Sequence, residues 1–87
     1  MPEYQVKLKS SAEKEFFRLP DGLSARILPR LKALAIDPRP HGSIKLKGSK
    51  DGWRIRVGDY RVIYIIDDEA RKVEVTHVAH RRDEYQS

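Results

Sequence analysis

Three arginines are spaced so that they could bind one phosphate together. Arg54 and Arg56 lie in one strand-like segment, and Arg61 lies in the next, across the turn Gly58-Asp59. A two-residue turn with glycine first is typical of a type II′ hairpin, and it fixes the register of the two strands. Arg56 then lies directly opposite Arg61, with Arg54 on the same face. Because each guanidinium group can bind two oxygens of an anion, the spacing predicts a phosphate-binding site.

The alternative for the opposed pair is that both side chains splay into solvent, as long surface side chains usually can. Like charges in directly opposed positions destabilise an antiparallel pair. A third arginine on the same face, with Asp51 and Asp59 in turns rather than between the arginines, favours the binding site. The other face of the hairpin is apolar and is predicted to face the core through Trp53, Ile55, Val57, Tyr60, Val62 and Tyr64.

The last predicted strand brings a histidine to this region. Its five-residue connection, Asp67–Arg71, does not fix the register, so the alternation of apolar residues is the guide. Alternation predicts two sets, the core-facing Val73, Val75 and Ala79 and the arginine-facing Glu74, Thr76, Val78 and His80. Neighbouring cations would favour the neutral imidazole that a general base needs at His80. The alternative for His80 is an ordinary solvated histidine, while His77 is predicted to be a core or rim histidine.

Two helices are predicted between an N-terminal strand and the arginine strands. The strand is indicated by the alternating apolar residues Tyr4, Val6 and Leu8. Ser10 and Glu13 form a predicted capping box at the first helix start, and Pro20 ends that helix. Asp21 can cap the second helix, in which the apolar face keeps its phase across Pro29, so one bent helix is favoured over two. The predicted buried faces are Ala12, Phe16 and Leu19, then Leu23, Ile27, Leu31 and Leu34.

Strand-type residues dominate after Ser43 and predict strands at Ile44–Leu46, Trp53–Val57, Tyr60–Ile66 and Lys72–Val78. The order strand, two helices, four strands predicts an α+β fold, with an antiparallel meander sheet and two N-terminal helices packed on one face. Neither a repeat nor a linker interrupts the sequence, so residues 1–87 are predicted to form a single domain.

Composition limits the classes of function. The 87 residues carry 18 Lys and Arg against 13 Asp and Glu, and the net charge of +5 favours a polyanionic partner. Without cysteine, disulfides and thiol nucleophiles are excluded. His41, His77 and His80 lack metal-ligand spacing, so neither a metal nor another cofactor is predicted. The longest apolar run, Val62–Ile66, is too short for a bilayer span and no leader opens the chain, so a cytoplasmic protein without a membrane partner is expected.

Three segments together resemble the RelE/ParE toxin superfamily of type II toxin–antitoxin systems. They are Leu46–Gly48, the run WRIRVGDYRVIY from Trp53 to Tyr64, and the run from His77 to Tyr85. The resemblance covers nearly the whole chain and is closest to the RelE branch. It implies a RelE-like domain that acts as a ribosome-dependent mRNA interferase and cuts mRNA in the ribosomal A site. In that metal-free reaction the ribose 2′-OH attacks the neighbouring phosphate and leaves a 2′,3′-cyclic phosphate and a 5′-OH.

The resemblance also implies roles for individual residues and partners. The implied catalytic positions are Arg56, Arg61, His80, Arg81 and Tyr85. The implied RNA-binding positions are Lys45, Lys47, Arg54 and Arg82. Tyr85 would stack on an mRNA base or orient the phosphate, unless it closes the edge of the core. The implied partners are mRNA on the ribosome and a cognate antitoxin in a hetero-oligomer, for which exposed Phe17 or Leu28 would form a docking groove.

Two other functions stay open. A ParE-like inhibitor of DNA gyrase shares the fold and part of the motif but has no catalysis of its own. The residues that disfavour it, because gyrase inhibitors largely lack the set, are Arg61, His80, Arg81 and Tyr85. A catalytically weak RNA-binding module would bind RNA with steep salt dependence and leave it intact. Some relatives carry lysines where Arg54 and Arg56 stand, so a mechanism with lysine as the base does not transfer to this chain.

Overall fold

The computed structural model describes residues 3–80, which contain two helices and five strands. Strand β1 (Gln5–Leu8) leads into helix α1 (Ser10–Phe17), and helix α2 (Leu23–Ala33) follows after a short turn. The other strands are β2 (Ile44–Lys45), β3 (Gly52–Val57), β4 (Tyr60–Asp67) and β5 (Lys72–His80). The order of elements is the predicted one and confirms the α+β fold class.

The strands form one sheet in the order β1-β5-β4-β3-β2. Strands β2 to β5 are the predicted antiparallel meander. Strand β1 pairs with β5 in parallel, from Gln5 opposite Lys72 to Leu8 opposite Val75. Parallel neighbours need a long crossover connection, and here both helices and three strands lie between the two. The sheet is therefore mixed, with the N-terminal strand beside the C-terminal strand at one edge.

Both helices cover the same face of the sheet. The buried residues that they contribute are Ala12 from α1, Ile27 and Leu31 from α2, and Leu34 at the end of α2. They pack with sheet residues Ile55, Val57, Val62, Tyr64, Ile66, Val73, Val75 and Val78. Each such buried aliphatic side chain contributes about 1.5–3 kcal/mol of hydrophobic stabilisation. The predicted helix faces and the apolar face of the hairpin are confirmed, and the hairpin arginines lie on the opposite face.

The start of α1 differs from the prediction because a strand contact sets it. Ser10 is already the first helical residue, and the N-cap is Lys9, which makes no side-chain capping bond. The Lys9 N–H donates to the carbonyl of Val75 at 2.8 Å, and the Lys9 carbonyl accepts from the N–H of Glu13 at 2.8 Å. The predicted capping box of Ser10 and Glu13 is therefore wrong, since the pairing of the chain with β5 begins the helix one residue early.

Helix α2 begins without the predicted carboxylate cap. Its N-cap is Gly22 in the left-handed conformation, with φ 84°, and not Asp21. A left-handed backbone suits glycine, which has no Cβ to clash. The helix runs through Pro29 as one element, as the unbroken apolar face predicts. Proline has no backbone N–H, so Pro29 removes one hydrogen bond from the helix. Because Pro29 is exposed, that hydrogen bond is lost on the solvent side of the helix.

The pairing of β4 with β5 contains a β-bulge that the sequence did not indicate. Tyr64 pairs with Val75, but its neighbour Ile63 pairs with His77, so Thr76 is an extra residue on β5. The Thr76 hydroxyl donates to the Ile63 carbonyl at 3.2 Å, within the bulge. An extra residue in one strand reverses the in-and-out alternation beyond it.

The bulge overturns the predicted faces at the end of β5. Val78 pairs with Val62 and belongs to the core cluster, and it does not lie on the arginine face as expected. Ala79 is buried, at 8% exposed, but it pairs with Arg61 on the face opposite the helices and not on the core face that the alternation predicted. His80 falls on the helix side for the same reason. The predictions for Val73 and Val75, which precede the bulge, are confirmed.

The hairpin turn gives a testable prediction. Gly58 has φ 60°, and among residues 3–80 Arg71 is the one non-glycine residue with positive φ, so Asp59 has the negative φ of a type II′ turn. A Cβ at Gly58 would meet Arg26 Nη2 at 3.5 Å, which is ordinary contact, so the cost of a side chain lies in the backbone. We expect Gly58→Ala to lower the free energy of unfolding by about 1–3 kcal/mol in urea titration. Asp59→Ala is the matched control, and an equal loss from both variants would contradict the turn argument.

Candidate active site

The three arginines converge on one cavity on the open face of the sheet. The cavity has a volume of about 60 Å³ and is lined by Arg54, Arg56 and Arg61 together with Gly42 and Ile44. The hairpin register is as predicted, from Val57 opposite Tyr60 through Arg56 opposite Arg61 to Trp53 opposite Tyr64. The central prediction, that guanidinium groups from neighbouring strands meet at one place, is confirmed.

The arrangement concentrates positive charge. Arg56 is exposed, and Arg54 and Arg61 are half-buried, so part of the charge is held close to the sheet. In the described strands, the residues directly paired with these arginines are one another, aliphatic residues or Ala79, and none is acidic. Opposed like charges disfavour the empty site. Guanidinium groups arranged in this way suit an anion such as phosphate, which can accept hydrogen bonds from two or three of them.

The loop before β2 provides the remaining wall of the cavity. It carries Gly42 and leads to Ile44, which pairs with Arg54 and is 50% exposed. Tyr64 holds this loop from the core side, since its buried hydroxyl donates a hydrogen bond to the Pro38 carbonyl at 2.8 Å. Burial raises the pKa of Tyr64 to about 12, so its hydroxyl keeps the donated proton at physiological pH. The core therefore helps to position the cavity wall.

Arg39 fixes the same loop from the surface. Its guanidinium binds both carboxylate oxygens of Asp68, with Nη2 to Oδ2 at 2.8 Å and Nη1 to Oδ1 at 3.3 Å. The guanidinium carbon also lies 5.3 Å from the ring centroid of Trp53. The Tyr4 hydroxyl donates to Asp68 as well. The sequence does not indicate this network, since its members come from four distant segments and no local motif marks them.

The network predicts a pH dependence of stability. Hydrogen bonds from Arg39 and Tyr4 hold the pKa of Asp68 at about 2, below its ordinary value of 3.8. A depressed folded pKa contributes stability above the unfolded pKa, and that contribution is lost as the pH falls toward the folded value. We expect Asp68→Asn to unfold at lower urea concentration than wild type above about pH 4, with the difference shrinking toward about pH 2. Glu69→Gln, the neighbouring exposed acid, controls for the loss of surface charge alone, and a pH-independent difference would contradict the prediction.

His80 lies elsewhere than the alternation predicts. It pairs with Tyr60, a half-buried residue packed against the core, and the two rings meet at 85° with centroids 5.0 Å apart. Tyr60 belongs to the helix side of the sheet, whereas Arg61 belongs to the open face. The predicted position of His80 on the arginine face is therefore wrong. The prediction that His80 acts as a general base depended on that position, so only the family resemblance now supports it.

The predicted RNA-binding lysines do not line the arginine cavity. Lys45 pairs with Trp53, on the helix side of the sheet, and its ammonium donates to the Ser49 carbonyl at 2.7 Å. One position along a strand changes the face, so Lys45 and the neighbouring Ile44 lie on opposite sides of the sheet. Lys47 is exposed in the turn after β2. Three further predicted site residues, Arg81, Arg82 and Tyr85, lie outside the described residues.

Residues 3–80 contain no cluster of three or more His, Asp or Glu placed to hold a metal ion. No helix in the same range has the length and apolar character needed to cross a membrane.

The comparison with known proteins agrees with this geometry. The family model described as the ParE toxin of type II toxin-antitoxin system, parDE, matches residues 6–85. The chain belongs to the RelE/ParE toxin superfamily. This RelE/ParE protein is 33% identical over 84 residues to the toxin RelE of Mycobacterium tuberculosis, a match that covers 94% of this chain and 86% of that one. The predicted family is confirmed.

Solved structures support the same family. The archaeal RelE–RelB complex from Pyrococcus horikoshii contains a chain with a TM-score of 0.81 and 30% identity, covering 97% of this chain and 100% of that chain. The isolated RelE toxin of Escherichia coli gives a TM-score of 0.78 and 26% identity, covering 88% of this chain and 83% of that chain. This RelE/ParE protein therefore has the RelE fold over nearly its whole length and is a toxin of a type II toxin–antitoxin system.

Proposed function

We propose that this toxin is an mRNA interferase that cuts mRNA in the A site of the ribosome. The observation that carries the proposal is the cavity lined by Arg54, Arg56 and Arg61 on the open face of the sheet. The relatives named RelE support this branch of the superfamily. Since mRNA and ribosomes are its proposed substrates, a cytoplasmic location follows from the same proposal.

The arginines suit a reaction at phosphorus that uses no metal. When the ribose 2′-OH attacks the adjacent phosphate, negative charge grows on the non-bridging oxygens. Arg56 and Arg61, held on paired strands, are placed to neutralise that charge, and pre-organised donors of this kind give large rate enhancements. Arg54, the third lining arginine, would hold a flanking phosphate. The products would be a 2′,3′-cyclic phosphate and a 5′-OH.

Proton transfer needs other residues. Arginine stays protonated in proteins and cannot accept the proton of the 2′-OH. From the resemblance we propose that Arg81 and Tyr85, in the segment that follows β5, complete the catalytic set. His80 is the one proposed catalytic residue in the described chain that can act as a general base, and it lies at the end of β5, next to Ala79 in sequence. To accept the proton of the 2′-OH, the His80 side chain would have to reach around the end of the sheet to the scissile phosphate.

We further propose a cognate antitoxin as the protein partner, in a hetero-oligomer. The RelE relatives from Pyrococcus horikoshii and Mycobacterium tuberculosis were solved as complexes with their antitoxins. In this chain two large apolar side chains are exposed on the helices, Phe17 at 77% and Leu28 at 42%. Exposed apolar residues of this size are typical of a surface that a partner covers. The net charge of +5 favours an acidic amphipathic segment as the partner.

A ParE-like inhibitor of DNA gyrase is the second candidate, since the matching family model is that of the ParE toxin. Primer extension on an mRNA translated in a purified system distinguishes the two. Cuts at A-site codons support the interferase. Inhibition of gyrase supercoiling without cuts supports the gyrase inhibitor. Binding of RNA without either effect indicates the catalytically weak RNA-binding module.

A further inference from the structure

The loop that precedes β2, residues 38–43, passes from one face of the sheet to the other. Near its start, the guanidinium carbon of Arg39 lies 5.3 Å from the ring centroid of Trp53, which packs against the core on the helix side. At its other end, Gly42 and the first residue of β2, Ile44, line the arginine cavity on the open face. The 38–43 loop therefore connects a contact on the helix side with a wall of the arginine cavity.

Strand β2 alone gives this wall little support. The strand is two residues long, and its pairing with β3 begins with Ile44 opposite Arg54. Strands in globular proteins usually have about five or six residues. Because so short an edge strand contributes few hydrogen bonds, the position of Gly42 and Ile44 depends on the other contacts of the 38–43 loop.

Arg39 supplies a contact of defined geometry. Its guanidinium binds both carboxylate oxygens of Asp68 while it lies over Trp53. A planar group that binds two oxygens and stacks on a ring has a fixed orientation, which lysine cannot reproduce. Pro38 and Pro40 flank Arg39 and restrict the backbone on both sides of it. The side chain therefore sets the direction in which the loop continues toward the open face.

We propose that Arg39 is a positioning residue for RNA phosphate in the arginine cavity. By binding Asp68, it holds the 38–43 loop and with it the wall that faces the three arginines. Arg39 lies on the helix side and does not line the cavity, so it acts through the loop and not on the phosphate. The identity of the phosphate as part of an RNA rests on the proposed nuclease function.

The wall affects binding through the surroundings of the guanidinium groups. Ile44 places an apolar side chain beside Arg54, its strand partner. An apolar wall keeps water away and lowers the local dielectric constant, which strengthens the attraction between a guanidinium group and a phosphate. A displaced wall admits water and shifts the bound phosphate. A misplacement of about 1 Å can reduce a rate by about 10²-fold, even when the mutated residue is far from the reacting atoms.

The experiment measures the affinity of the folded toxin for inorganic phosphate, from the NMR signals of the Nε–H groups of Arg54, Arg56 and Arg61. Arg39→Ala should weaken phosphate binding by roughly 10-fold and should lower kcat/KM for mRNA cleavage on programmed ribosomes by at least that factor. Arg39→Lys keeps the charge but loses the planar contact with Asp68, so we expect most of the same loss.

Two matched controls separate positioning from effects on stability and charge. Tyr4→Phe removes a different hydrogen bond to Asp68, from a residue outside the loop, and should lower the urea midpoint without weakening phosphate binding by more than about 2-fold. Arg71→Ala removes one positive charge from the same cluster, since the Arg71 guanidinium carbon lies 5.4 Å from the Tyr4 ring centroid. It should also change phosphate binding by less than about 2-fold, because screening weakens the effect of a distant exposed charge.

The coupling between Arg39 and its partner gives a further check. If Arg39 acts by binding Asp68, adding Asp68→Asn to Arg39→Ala should weaken phosphate binding by less than about 2-fold more, although Asp68→Asn alone weakens it. Losses that multiply in the double variant would overturn the proposal.

The other outcomes also decide the question. Equal losses of phosphate affinity in Arg39→Ala and Arg71→Ala would reduce the effect to net charge and overturn the proposal. Phosphate that leaves the wild-type arginine signals unchanged would overturn it too, since the loop would then have no anion site to complete. If Arg39→Ala weakens phosphate binding but wild type cuts no mRNA, the positioning role is supported and the proposed nuclease function has failed.

Discussion

Replacement of Arg61 with alanine is expected to reduce mRNA cleavage by about 10²–10³-fold and to remove toxicity. Removing one pre-organised donor from a site that stabilises developing negative charge has an effect of this size. Arg61 is half-buried, lines the arginine cavity and is paired with Arg56, so no solvated side chain can replace it. Rates measured by primer extension on translated mRNA, with purified variant toxin, test the expectation.

Two further variants define the cause. Arg61→Lys keeps the charge but loses the planar group that can bind two oxygens, so we expect an intermediate rate. Arg30→Ala removes an exposed arginine from α2, on the opposite side of the sheet, and should leave the rate unchanged. Urea unfolding of Arg61→Ala and Arg30→Ala separates a loss of activity from a loss of folded toxin. Full activity of Arg61→Ala, or equal losses in Arg61→Ala and Arg30→Ala, would contradict an active site at this cavity.

The hairpin that carries this site could be predicted residue by residue, and the physical reason is local. Two residues, Gly58 and Asp59, join β3 to β4, and so short a turn leaves one register. Every predicted pair was found, including Arg56 opposite Arg61. The convergence of the arginines followed because side chains on a strand alternate strictly between faces.

The far end of β5 could not be predicted, since nothing in the sequence indicates the bulge at Thr76. Val78, Ala79 and His80 form an apolar-apolar-polar run that fits either register. The structure selects the register that buries Val78 against Val62 and leaves Ala79 beside Arg61. The wrong predictions for the faces of Val78, Ala79 and His80 therefore have one cause, the bulge.

Contacts between distant segments were missed for a different reason. The Glu15 carboxylate binds the backbone of Val78, 63 positions away, and Arg39 binds Asp68, 29 positions away. Side chains such as these have no periodicity or spacing of their own, so only the folded chain reveals their partners. The Arg39 contact holds the loop beside the arginine cavity.

Replacement of Ile27 with alanine is expected to lower the free energy of unfolding by about 2–5 kcal/mol, the range for truncating a large aliphatic side chain in a core. Ile27 is 0% exposed and belongs to the cluster between α2 and the sheet. Small domains are stable by only about 5–15 kcal/mol, so this one change removes a large part of the total. Urea unfolding of the purified variant measures it.

Leu28→Ala is the matched control, because the next residue of the same helix is 42% exposed. We expect it to change stability by less than about 1 kcal/mol, while antitoxin binding weakens if the exposed helix surface is the docking site. Ile27→Ala and Arg61→Ala represent two different ways in which a cell can escape the toxin. Ile27→Ala would spare cells because too little toxin folds, whereas Arg61→Ala would spare them with the folded toxin present. A selection for non-toxic variants would recover both, and only unfolding data tell them apart. Equal destabilisation by Ile27→Ala and Leu28→Ala would show that α2 does not bury the face described here.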